Sequence, residues 1–117
     1  MTNPEKQDVI DQLTAYDGWL TKVLNLIGDR SQLRGDEKRQ AQELLKEVKA
    51  NLEADCKALD RREDEWNDYE RKFLEPALRE TKAEITVRTN TIPGSEWKSN
   101  LNGARINITS MLHELEN

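Results

Sequence analysis

Thirty-eight consecutive residues, Asp36 to Phe73, contain neither glycine nor proline. Apolar side chains recur within them at Ala41, Leu45, Val48, Leu52, Cys56 and Leu59, in alternating steps of four and three. That periodicity places one narrow stripe along a helix. Between Leu59 and Trp66 the stripe is interrupted by an unbroken charged run, Asp60-Arg61-Arg62-Glu63-Asp64-Glu65, and it resumes at Trp66, Tyr69 and Phe73. No helix breaker lies in the interruption, so the stretch reads as a single helix of roughly ten turns that the other segments must pack against, the alternative being that the chain turns at the charged run.

The segments on either side carry helical signals of their own. Thr2-x-x-Glu5 has capping-box spacing, with Thr2 or Asn3 as the cap, and Pro4 suits a first helical turn. From there Val9, Leu13, Tyr16, Leu20, Val23 and Ile27 repeat the four-three alternation until Gly28 supplies a stop. The polar connection Gly28 to Gly35 reverses the chain, which predicts an antiparallel hairpin with the long helix. Pro76 either kinks the long helix or opens a new one at its first turn. Pro93-Gly94 marks a loop, after which Trp97, Leu101, Ala104, Ile108, Met111 and Leu115 form a last apolar stripe behind Ser95.

Fold class follows from this pattern: an all-α antiparallel bundle of three or four helices around one long helix, with residues 1–117 as a single domain. The alternative is an α+β fold, in which the β-branched run Ile85 to Ile92 pairs with Ala104 to Thr109 through an Asn102-Gly103 turn, making a small C-terminal hairpin. Composition favours the first, because 35% charged and 35% hydrophobic residues suit solvated helices with thin seams better than a thick α/β core.

Trp19-Leu20, Gln42-x-Leu44-Leu45-Lys46 and Leu52-Glu53-Ala54-Asp55 together resemble the first two helices of a spectrin repeat. The resemblance ends after Leu59, where Pro76 and Pro93-Gly94 cut what would be that repeat's long third helix. It implies a left-handed three-helix bundle used as a spacer or scaffold, and it transfers no functional residue.

Several kinds of chemistry lack their residues. A net charge of −5 is spread along the chain, and the basic pairs Lys38-Arg39, Arg61-Arg62 and Arg71-Lys72 are interleaved with acids, which argues against nucleic-acid binding. His113 is the only histidine, close to the C-terminus, and Cys56 lies on a helical stripe where packing makes a thiol inert. There is no Glu-x-x-His pair, EF-hand loop, phosphate-binding glycine loop or nucleophile elbow. No catalytic residue, cofactor, metal or small-molecule substrate is expected. With one cysteine, no signal-like segment and no apolar run of membrane length, the chain reads as a cytoplasmic protein and, starting at Met1, as a complete small reading frame.

What remains is surface character. Trp19 sits beside the first stripe, and Trp66, Tyr69 and Phe73 lie on a half of the long helix for which the first helix offers no obvious partner. Asp60, Asp64 and Asp68 recur every four residues, so a continuous helix would carry them as an acidic row. These seven residues are the candidate partner-binding set. The expected function is a non-enzymatic protein-protein interaction module (a small adaptor, inhibitor or structural accessory) that binds a protein partner or forms a homodimer. The alternative is a nucleic-acid-associated protein or an acidic nucleic-acid mimic.

Overall fold

The computed structural model describes residues 3–86 and 92–116, and among them it contains four α-helices and no β-strand. Helix α1 spans Pro4–Ile27, α2 Gly35–Arg61, α3 Glu75–Glu84 and α4 Ser95–Glu116. A 3₁₀ turn (Glu63–Glu65) and a π-helical turn (Glu70–Leu74) lie between α2 and α3. Each helix packs against two others, α1 on α2 and α4, and α3 on the same two, so the chain runs up and down around one shared core. The α+β alternative is not what forms. Ala104 to Thr109 lies within α4, and residues 87–91 of the other proposed strand fall outside the described residues.

The stripes read from sequence are the buried faces, except that Cys56 and Met111 are only half-buried at the edge of the core. Val9, Leu13, Tyr16, Leu20, Val23 and Ile27 are all buried, as are Ala41, Leu45, Val48, Leu52 and Leu59 on α2. On α4, Trp97, Leu101, Ala104, Ile108 and Leu115 complete the core. Asn3 proves to be the cap of α1, its Oδ1 accepting from the Glu5 and Lys6 amides at 3.0 and 3.5 Å. Among the described residues no helix is long and apolar enough to cross a membrane.

The long helix is where expectation and structure part. It stops at Arg61, within the charged run, and the chain turns back on itself before Asp68. Only local geometry changes: Arg62 (φ −119°, ψ 33°) leaves the helical region and Trp66 (φ −62°, ψ 132°) is extended. The Trp66 indole Nε1 donates to the Leu59 carbonyl at 2.8 Å, which also accepts from the Arg62 amide at 3.1 Å, so the side chain fastens the end of α2. A continuous helix would also have aligned Asp60, Asp64 and Asp68 at i, i+4 spacing, where like charges repel. The π-turn that follows has the Glu75 amide bonded to the Glu70 carbonyl. Pro76 has no amide to give and would collide with the carbonyl four residues back, so a wider turn there relieves the clash.

At the opposite end the two other connections are tied together. The Leu33 amide donates to the Pro93 carbonyl at 2.8 Å and the Ser95 amide to the Ser31 carbonyl at 3.1 Å, an isolated antiparallel bridge between Gln32 and Gly94. Leu33, buried beneath this bridge, is a core residue within a connection that reads as polar. Glycine is required at position 94 because a Cβ there would fall onto the Ser31 carbonyl group, 2.9 Å from its carbon and 3.1 Å from the Gln32 Cα. Gly94→Ala should therefore lower stability by about 2 kcal/mol through overpacking against backbone, read as a lower urea midpoint with an unchanged slope. An unaltered midpoint would show that the tie does not matter.

Thr81 offers the opposite case. Its side chain is fully buried on α3, and its hydroxyl has no hydrogen-bond partner among the described residues. Thr81→Val keeps the shape and removes the unsatisfied group, so it should stabilise the fold by about 1 kcal/mol in the same titration. A loss of stability would mean that the hydroxyl has a role in the folded chain.

Candidate interaction site

The turn between α2 and α3 is built around a buried carboxylate. Glu70 is only 6% exposed, and its two oxygens face the forked guanidinium of Arg62, with Nη1 at 3.2 Å from Oε1 and Nη2 on Oε2. Oε1 also accepts from the Asn67 amide at 3.1 Å, while the Glu70 amide donates to the Asn67 Oδ1 at 2.8 Å. This reciprocal pair is a capping box, and Asn67-x-x-Glu70 starts the helical run that leads into α3 as Asn3 starts α1. Hydrogen bonding from Arg62, assisted by the Asn67 amide and outweighing burial, holds the Glu70 carboxyl below the usual carboxylate range.

Around this buried pair the surface is acidic. Asp60, Glu63, Asp64, Glu65 and Asp68 are all exposed. Of the bases nearby, Arg62 is neutralised by Glu70, Arg71 lies over the Trp66 ring, 5.3 Å from its centroid, and Arg61 and Lys72 are exposed, so the five acids outnumber the three remaining bases. The N-terminus of α1 joins the same end. Asn3 Nδ2 donates to the Tyr69 hydroxyl at 3.4 Å, and a cleft of about 210 Å³ is lined by Glu5, Asp8, Arg62, Asn67 and Glu70, among others. Helix α4 runs antiparallel to α1, with Arg105 Nε 2.7 Å from Asp17 Oδ1, so Glu114 and Glu116 finish level with the first two turns of α1. One end of the bundle thus gathers carboxylates from three places in the sequence.

The seven candidate residues divide. Trp66 and Tyr69 are half-buried at this end, and Asp60, Asp64 and Asp68 are exposed there, spread over the end of α2, the 3₁₀ turn and the start of the next helical run. They do not form the regular row that a continuous helix would make. Phe73 is 9% exposed and belongs to the core, beneath the Lys72 ammonium at 5.4 Å. Trp19 lies apart from them on α1, half-buried and edge-on to Tyr16 with centroids 5.0 Å apart. Tyr16 itself donates to the Asp55 carboxylate, and burial together with that carboxylate pushes its phenol pKa upward. Asn67 and Glu70 were not singled out from sequence, although their capping-box spacing directly follows the charged run and could have marked the turn.

Cys56 is half-buried in a second cleft of about 230 Å³ between α2 and α3, shared with Asp60, Glu75, Arg79 and Lys82. Burial raises its thiol pKa more than Lys82 lowers it, which makes it a poor nucleophile. Among the described residues no group of three or more His, Cys, Asp and Glu side chains could hold a metal ion. In comparisons with protein-family models, with curated proteins and with solved structures, the chain matches none.

The buried pair fixes a pH dependence. Because the folded Glu70 carboxyl titrates below its unfolded counterpart, the stability it contributes is complete above the unfolded value, about 4.3, and is lost as pH falls through the lower folded value. Glu70→Gln should cost about 1–3 kcal/mol at pH 7, and the difference from wild type should narrow below about pH 4. A difference that stays constant to low pH would mean that the carboxylate charge is irrelevant to the turn.

Proposed function

We propose that this protein is a non-enzymatic interaction module, a small adaptor, inhibitor or accessory protein, and that it engages a basic protein partner through its acidic end. One observation supports the reading above the others: five exposed carboxylates crowd a single turn whose Arg62 is already committed to Glu70. Even with Arg61, Arg71 and Lys72 exposed beside them, the carboxylates leave an excess of negative charge, which steers an oppositely charged partner. The half-buried rings of Trp66 and Tyr69 lie among those carboxylates, and aromatic side chains of this kind are favoured as contact anchors. The setting we propose is the cytoplasm, where a lone thiol such as Cys56 stays reduced. Nucleic-acid mimicry has less support, because Asp60, Asp64 and Asp68 lie on three different backbone segments and lack the even spacing of a phosphate row.

The triple variant Asp60→Lys, Asp64→Lys, Asp68→Lys tests the proposal without touching the core. A partner captured by the wild-type protein from its own cell extract should be eluted by raising salt and should bind the triple variant at least tenfold more weakly, while circular dichroism shows the fold retained. Equal capture by both proteins would remove the acidic end from the function. Capture of a nucleic-acid-binding protein that is displaced by DNA would favour the mimic instead.

A further inference from the structure

The turn between α2 and α3 interrupts a pattern that continues straight through it. Leu45, Leu52, Leu59, Trp66 and Phe73 are spaced by seven residues each, so the apolar stripe before the turn is in register with the stripe after it. No glycine or proline lies between Gly35 and Pro76, and no residue of the turn has positive φ. The turn is therefore not imposed by backbone chemistry. It is held by side chains: the Arg62–Glu70 pair, the Asn67–Glu70 capping box and the Trp66 indole on the Leu59 carbonyl. None of these can exist in a straight helix, where Arg62 and Glu70 would lie about 12 Å apart along the axis.

We infer that this turn is a hinge, and that when it straightens, a second copy of the same chain is the partner. Residues 35–84 then form one helix of about 75 Å, broken only by the π-turn, and each chain's α1–α2 pair packs against the α3–α4 pair of the other. The exchange preserves the core and the ties across it, since Arg105 still meets an Asp17 and Gly94 still meets a Gln32, now from the partner chain. Only the turn's own contacts are given up. Repulsion among Asp60, Asp64 and Asp68 in the straight form opposes the exchange and keeps the hairpin closed. The proposal concerns the chain's self-association and does not depend on the partner proposed for the acidic end.

The test is a distance within one chain. Spin labels are attached through Glu53→Cys and Glu80→Cys in a Cys56→Ala background, and the labelled protein is diluted into excess unlabelled chain before concentration and warming. In the closed form the labels sit on adjacent helices and should lie within about 25 Å; in the straight form, at a separation of 27 positions, they should lie about 40 Å apart. Asn67→Ala/Glu70→Gln, which dismantles the capping box, should raise the dimer fraction at least fivefold over wild type by light scattering, and its dimers should show the long distance. Asp60→Ala/Asp64→Ala/Asp68→Ala, which leaves Asn67 and Glu70 in place and relieves the repulsion, should do the same, and it decides the matter if the first variant does not fold. Dimers that keep the short distance, or no rise in dimer for a folded variant, would overturn the hinge.

Discussion

A carboxylate taken out of water must be met by groups that replace water, and Glu70 meets that requirement in only one chain geometry. Its partners are Arg62, eight residues earlier, and the amide of Asn67, three residues earlier. The Asn67 amide reaches it only where a helix starts, and Arg62 only if the chain doubles back between them. The doubling back brings Tyr69 against the N-terminus of α1 and aims α3 along α2, and it makes room for α4 to complete the ring of helices. It also decides the surface, because the charges expelled from the turn's interior are those that project from the end of the bundle.

The other end solves a different problem with backbone atoms alone. Two connections approach closely enough there for amides and carbonyls to pair across them, and the absence of a side chain at Gly94 permits the approach. The bundle is thus closed by a side-chain network at one end and a main-chain bridge at the other. The first involves titratable and exposed groups, so solvent conditions can reach it. The second involves groups that neither titrate nor exchange partners easily. Lability is concentrated where the acidic surface is.

Apolar periodicity made most of the fold legible. Each stripe on α1, α2 and α4 predicted its buried residues because the core is continuous and helix geometry leaves little choice about which face enters it. The turn was not legible by that logic, since periodicity records which residues are compatible with one helix face and Trp66 and Phe73 are compatible with either arrangement. The deciding signal was polar: Asn67 three residues before Glu70, after a run of charges that would repel one another in a helix. Leu33 escaped for a related reason, because a single apolar residue in a polar connection has no period. As for the candidate site, its acidic and aromatic residues could be picked out singly, whereas their meeting with Glu5, Asp8, Glu114 and Glu116 depends on a reversal that no local pattern encodes.

The same reasoning explains why the spectrin-like strings stop where they do. A repeat of that kind needs a second helix long enough to hand over to an unbroken third, and the resembling residues lie on α1 and α2, before the chain turns at Arg62. Beyond it, Pro76 is accommodated by a π-turn, and α4 closes the bundle against α1 and α3. The described helices are of unequal length, and the turn that separates α2 from α3 is held by one buried acid and its cap. Two adjacent residues with ordinary helical propensity, Asn67 and Asp68, begin a new helix because Glu70 reaches back to the Asn67 amide. Without the contacts of Glu70 and Trp66, only repulsion among the acids opposes a straight helix, and the heptad spacing from Leu45 to Phe73 favours carrying the helix on.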